Sequence, residues 1–350
     1  MIPYLLSWSA LALGGLGRPR ALSASTLLSL LLFLTLLIGL RDQVGGDWIT
    51  YLPYLDRSIG IPFADIFLED EPGYGLLNWI GGNWGGGVYL VNTICALILS
   101  IGLLQFCRAQ PRPWLALTLA FPYLITVVAM GYSRQGVAIG LEMLALLALQ
   151  RDQLLRFLAW IAIAATFHRT VLVLLLLPAA TLSPSLRFSQ LLRLSLLAGA
   201  GYGLYSAILA PDLNYYTQGY LEAQYQSQGA LIRVVLSLLP ASAFLPFRRR
   251  FRLPPTSQRI WTLISCLAVL AVIGLFTVVS STAVDRLALY LIPLQLFVGS
   301  RLPDTRLFGI PPNTWTQLLV AFSLAVLLVW LLFAGHSKYW LPYRNLLLPF

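Results

Sequence analysis

The chain has 350 residues, of which 58% are hydrophobic and only 10% charged. A soluble domain carries about 25% charged residues, so this composition excludes a soluble globular protein and leaves an all-α polytopic membrane protein. The formal net charge of +10 would suggest nucleic acid in a soluble protein, but in a membrane protein it reflects arginine-rich cytoplasmic loops, so no nucleic-acid partner is expected.

Apolar segments are expected in chain order at 2–17, 22–40, 88–106, 113–130, 135–150, 157–167, 170–182, 191–209, 231–246, 259–279, 287–300 and 314–334. Several fall short of the roughly 20 residues that a perpendicular span needs. The start, "MIPYLLSWSALALGGLG", has no basic n-region, so no cleavable signal is expected. After the second segment comes a large loop, 41–87, rich in Gly and aromatics. Its "GGNWGGG" lacks the Lys-Ser/Thr of a phosphate-binding loop and reads as a hinge. The pair 157–167 and 170–182 is either one helix through "TFHRT" or a hairpin with His168 at its tip. The hairpin puts the basic loops 151–156 and 183–193 on one side. That choice sorts every loop: Arg18, Arg20, Arg108, Arg112, Arg151, Arg156, Arg187, Arg193, the "RRRFR" run at 248–252, Arg259, Arg301 and Arg306 share one face, and nearly all acids share the other. The positive-inside rule makes the basic face cytoplasmic. Loops 41–87 and 210–230 and both termini then lie outside, and "RRRFR" is a topology anchor. No internal repeat and no soluble domain is visible, so 1–350 reads as one integral membrane domain. Cys95, Cys107 and Cys266 are isolated packing residues. Two histidines cannot build a histidine-based metal cluster, the acid run 69–71 has no diagnostic cation spacing, and no cofactor is expected.

The spans that enter from outside each carry an arginine near their first turn: Arg134, Arg169, Arg233 and Arg286. That is the wrong charge for a helix N-terminus, which prefers acids by about 0.3–1 kcal/mol. Four such placements on one face suggest a shared anion such as a diphosphate. The competing reading has them snorkelling to lipid phosphates or pairing with Asp285, Glu222 or their neighbours. Gln135 and Glu142 lie seven residues apart on one helix face, with Glu142 about 12 Å below Arg134, where a lone carboxylate faces the bundle interior as a structural strut. His168 beside Arg169 is a candidate base, since the neighbouring cation favours the neutral imidazole. Asp47, Tyr51, Glu71 and Tyr74 mix carboxylates with aromatics, as carbohydrate sites do.

In order, "GGDWITYLPYL", "EPGYGLLN", "YSRQGVAIGLEML", "TFHRTVLVLLLLP", "STAVDRLALYL" and "KYWLPYRNLL" resemble the EpsG-like branch of the Wzy-type polysaccharide polymerases. The resemblance runs from about 41 to 345, and the Arg-Gln helix start and the Phe-His break are its most specific parts. The family pattern has a small hydroxyl residue soon after the histidine, whereas here Arg169 intervenes before Thr170. The resemblance implies a glycosyltransferase of the cytoplasmic membrane that joins polyprenyl-diphosphate-linked oligosaccharide repeat units at the outer face, into exopolysaccharide or O-antigen. It brings a flippase and a chain-length regulator as partners, besides membrane lipids. On that reading Arg134 and Arg286 stabilise the diphosphate with Arg169 and Arg233 in support, His168 or Asp47 is the base, and Glu71, Tyr74, Tyr51 and Gln135 hold the acceptor sugar. The nearest rivals are an O-antigen ligase and a transferase using a polyprenyl-phosphate sugar. A lipid-linked oligosaccharide transporter is the rival from another class, although no inverted repeat is visible.

Overall fold

The computed structural model describes residues 1–68, 70–181, 195, 198–199, 202, 230–277 and 281–347. Among these there is no strand, and Arg41 and Asn345 form an isolated antiparallel bridge. The helices are α1 (Ile2–Leu16), α2 (Ala24–Gly39), α3 (Trp48–Ser58), α4 (Pro72–Asn83), α5 (Gly87–Arg108), α6 (Pro113–Ala120), α7 (Ser133–Gln150), α8 (Leu154–Ala165), α9 (Ala230–Phe244), α10 (Pro255–Thr277), α11 (Ser281–Ala288), α12 (Ile292–Thr305) and α13 (Pro312–Phe333). The expected segment 191–209 and the loop 210–230 lie outside the described residues, apart from four positions of the former. Three helices, α5, α10 and α13, are long and apolar enough to cross a membrane unaided, and α1, α2, α8 and α9 are shorter apolar helices.

Two features depart from the expectations. Residues 41–87 are largely helical rather than an open loop, holding α3, a 3-10 turn at Phe63–Leu68 and α4. Their start signals are local: Asp47 stands at the N-cap position of α3, and Pro72 opens α4 with its fixed φ. The expected span 113–130 is also not one regular helix. After α6 it widens into a π-helix over Phe121–Ala129, where the Thr126 hydroxyl donates to the Phe121 carbonyl five residues back. Widened turns are rare in helices and are frequent at functional sites.

The chain divides into two compact units. The first comprises Met1–Leu144, Thr166–His168 and Gly299–Phe350. In it α2 packs on α5, α1 on α6 and α13, and α4 on α3 and α5. A hydrogen-bonded chain ties three of these helices: Trp8 Nε1 donates to Ser323 Oγ at 3.0 Å, Ser323 to the Thr118 carbonyl at 2.7 Å, and Thr118 to the Leu11 carbonyl at 3.0 Å. Without water between apolar helices, such bonds and close packing carry the association, each bond worth about 0.6 kcal/mol. The C-terminal segment closes the unit: Trp340 Nε1 donates to the Thr126 carbonyl at 2.7 Å inside the π-helix, and Tyr343 to the Leu37 carbonyl at 2.6 Å.

The second unit comprises Ala145–Ala165 and Arg169–Val298. Here α9 packs on α10 and α11, and a 3-10 helix, Arg169–Thr181, packs on α8 and α10. The chain therefore breaks at Thr166–His168 and the two arms pack on each other, the hairpin that the loop charges favoured. Trp261 stacks on Phe297 at 3.9 Å and donates to Gln150 Oε1 at 3.2 Å.

Candidate functional site

The break at Thr166–His168 is held by the start of α4. The first turn of a helix leaves N–H groups without intrahelical acceptors, and here Gly73 N donates to the Thr166 carbonyl at 2.9 Å, with Tyr74 N at 3.4 Å. Glycine is required there, because a Cβ on residue 73 would lie 2.3 Å from Thr166 Oγ1. The sequence "EPGYG" thus does three things in five residues. Pro72 starts the helix, Gly73 admits the break, and Glu71 is left beside His168.

Glu71 joins the two most specific motifs. One carboxylate oxygen meets His168 Nδ1 at 3.0 Å and the other accepts from Arg134 Nη1 at 2.6 Å. All three side chains are largely withdrawn from water, at 12%, 15% and 26% exposure for Glu71, His168 and Arg134. Burial would raise the Glu71 carboxyl, but the His168 hydrogen bond and the Arg134 charge outweigh it and hold the group below the ordinary value. An ionised carboxylate has no proton to give, so the hydrogen between the two groups sits on His168 Nδ1, which donates to Glu71. Nε2 is buried and has no hydrogen-bond partner among the described residues. Buried polar atoms without partners are rare and costly, so this nitrogen is the first sign of a ligand.

Arg134 supplies the second. It lies in the first turn of α7, and its one hydrogen bond among the described residues goes to Glu71. Its guanidinium carbon sits 5.9, 5.1 and 5.6 Å from the ring centres of Tyr51, Tyr54 and Tyr74. Three aromatic faces hold the cation in place and leave most of its fork of donors without a hydrogen-bond partner among the described residues. Tyr74 lies 5.6 Å from Tyr51 and 6.1 Å from Tyr54, ring to ring. The Tyr51 hydroxyl donates to Asp47 at 3.4 Å. Burial first, and Asp47 next, push the Tyr51 phenol up, and burial does the same to Tyr74, so both stay protonated donors.

The structure thus gathers Asp47, Tyr51, Glu71, Tyr74, Arg134 and His168 within the first unit. Glu71 there occupies both oxygens with the protein's own groups rather than facing outward toward an acceptor. Gln135 is buried in α7, and so is Glu142, whose Oε2 has no partner among the described residues. The other three arginines belong to the second unit. Arg233 donates to both oxygens of Asp285, at 2.7 and 2.5 Å, the pairing that stood as the competing reading of its charge. Arg169 is buried, and Arg286 is exposed at the end of α11.

Two members were missed in the sequence. Tyr54 has the signal that Tyr51 has, an aromatic within "WITYLPYL". Arg41 follows an apolar run and resembles any flanking charge, yet it is 1% exposed. Its guanidinium donates to the carbonyls of Val44 (3.0 Å) and Ile38 (2.7 Å), to Asn92 (3.1 Å) and to Ser133 (2.8 Å). Ser133 is the first residue of α7, so Arg41 fixes the helix start that carries Arg134.

A family model described as the EpsG family matches residues 26–345. No curated protein and no solved structure matches the chain.

Proposed function

This chain belongs to the EpsG family, a membership that implies a membrane protein of polysaccharide polymerisation, and from that premise we propose that it lengthens polysaccharide by glycosyl transfer from a polyprenyl-diphosphate-linked donor at the outer face of the cytoplasmic membrane. The observation that carries this reading is Glu71 bridging His168 and Arg134, with Nε2 of the one and most donors of the other left for a substrate.

The reaction joins the anomeric carbon of one sugar chain to a hydroxyl of the next repeat unit and releases polyprenyl diphosphate. As the hydroxyl attacks, its proton passes to His168 Nε2, while Glu71 stabilises the imidazolium that forms. Negative charge grows on the leaving diphosphate. Arg134 and the N-terminus of α7 meet it with fixed donors that need no rearrangement. The tyrosines beside Arg134 offer faces for sugar rings, and Asp47 orients the acceptor through its hydroxyls. The charge asymmetry of the loops is what supports outer-face action.

The test is chain growth on a defined polyprenyl-diphosphate oligosaccharide by the purified protein. A ladder of products supports polymerisation, whereas a single addition supports the ligase reading. His168→Gln should abolish the acid limb of the pH–rate profile together with most of the rate. A His168→Gln protein that keeps both moves the base to Asp47.

A further inference from the structure

We propose that Trp340 is a positioning residue for the reaction site, a role that rests on the function proposed above: its indole sets the spacing between the stretch that carries Asp47 and the stretch that carries Arg134. The sequence makes room for this in "GGD" at 45–47 and "MGYSR" at 130–134. Gly45 has a φ of +113°, and a Cβ on it would collide with the Met130 carbonyl oxygen and stand 3.3 Å from Gly131 Cα. The two stretches therefore meet backbone against backbone, a contact that only glycine allows in this left-handed conformation. It lies just ahead of Asp47 on one side and of Arg134 on the other.

Trp340 covers that contact. A Cβ on Gly131 would lie 2.6 Å from Trp340 Cζ2, and one on Gly46 would lie 3.7 Å from Cη2, so one edge of the ring rests on both stretches. The residue is 1% exposed, and hydrogen bonds fix it at both ends. Nε1 donates to the Thr126 carbonyl at 2.7 Å, and the Trp340 carbonyl accepts from the Tyr4 hydroxyl at 3.0 Å. The backbone on either side of it grips the first stretch: Gly45 N donates to the Tyr339 carbonyl at 2.9 Å, and Asp42 N to the Arg344 carbonyl at 3.0 Å. The segment "KYWLPYRNLL" is thus a strap, tied to the Asp47 stretch through its backbone and to the Arg134 stretch through its indole. All of these residues belong to the first unit.

The chemistry makes that spacing matter. Arg134 meets the leaving diphosphate and Asp47 orients the acceptor, so the two must converge on one anomeric carbon. A misplacement of about 1 Å between reacting groups costs about a hundredfold in rate. Glycines in contact have no side chains with which to hold a distance, and the indole supplies the missing surface. A phenyl ring at 340 would be smaller and would lack the donor to Thr126, leaving both stretches less firmly held.

The experiment takes the purified full chain and measures amide hydrogen exchange without substrate and chain growth with the polyprenyl-diphosphate oligosaccharide. The reporting amides are those of Gly45 and Trp48 in one stretch and of Tyr132 and Gly136 in the other, all hydrogen-bonded to backbone. In Trp340→Phe, exchange should quicken about fivefold in both stretches, the worth of about one hydrogen bond. In the same variant kcat should fall about ten- to a hundredfold, with KM changing less. Trp315→Phe breaks an indole bond of the same kind in the same unit, to the Leu307 carbonyl at 3.2 Å, and should leave both readouts unchanged. If Trp340→Phe does not fold, Tyr4→Phe, which frees the Trp340 carbonyl, carries the test in the same direction. Unchanged exchange in either stretch overturns the proposal, and so do equal effects in Trp315→Phe. Quickened exchange with kcat unchanged also overturns it, provided that Arg134→Lys loses activity. If neither Trp340→Phe nor Arg134→Lys loses activity while exchange quickens in both stretches, Trp340 keeps its spacing role and the reaction site itself is refuted.

Discussion

Glu71→Gln is the sharpest perturbation of the reaction site, because it keeps shape and volume and removes one charge. The amide that replaces the carboxylate offers one acceptor oxygen and one NH₂ donor. Two protein donors converge on this side chain, from Arg134 at 2.6 Å and His168 at 3.0 Å, so the amide nitrogen must face one of them. If it faces Arg134, a charge-assisted bond worth about 1.5–3 kcal/mol is lost, which is about ten- to a hundredfold in rate. If it faces His168, the ring shifts its hydrogen to Nε2 to accept from the amide. On the proposed mechanism the base is then gone, at a cost of about 10²–10⁴-fold. Turnover of Glu71→Gln should therefore fall by at least tenfold with KM little changed, measured as chain growth on the lipid-linked substrate across pH. A second readout needs no substrate. The folded Glu71 carboxyl lies below its ordinary value of 4.5, so its contribution to stability is complete above that value and is lost as the pH falls through the folded one. The acid side of the melting curve should flatten in Glu71→Gln. Unchanged turnover together with an unchanged acid melt would refute the bridging role.

Arg134→Lys keeps the charge but not the planar fork that lies among three tyrosines, so activity should drop about ten- to a hundredfold in the same assay while the fold survives. Gly73→Ala forces a methyl toward Thr166 Oγ1 and should cost about 1–3 kcal/mol of stability; its turnover should fall further than its melting temperature explains, since the break carrying His168 must move. The orientation is checked by single cysteines at the exposed positions Asp56 and Arg250 in a cysteine-free chain. An impermeant thiol reagent on intact cells should label the first and not the second, and the reverse pattern overturns the orientation.

What the sequence disclosed and what it withheld follow from the range of the forces involved. Arg134 stood out because its sign was wrong for a helix start, and His168 because it broke an apolar run. Both are local contradictions. The hairpin at Thr166–His168 was likewise legible from the charges of its two flanking loops. The role of Glu71 was not, because its partners lie 63 and 97 residues away and only packing brings them together. Helices α3 and α4 were hidden by glycine, proline and aromatic content, which masks periodicity although Asp47 and Pro72 mark their starts. The π-helix at Phe121–Ala129 was invisible because its residues are almost uniformly apolar, and an all-apolar run has no phase to read.

Arg41 gives this site a property that no surface arginine could supply. Its hydrogen bonds go to two carbonyls, an amide and a hydroxyl, acceptors that orient the cation without cancelling it. A charge in that position is shielded little by dissolved ions, because counterions screen exposed groups over about 8–10 Å but do not enter the protein. Its field therefore persists at the first residue of α7 whatever the ionic strength. Capture of a polyanionic lipid would then depend on salt only through the exposed arginines, leaving a constant attraction when the surface charges are screened.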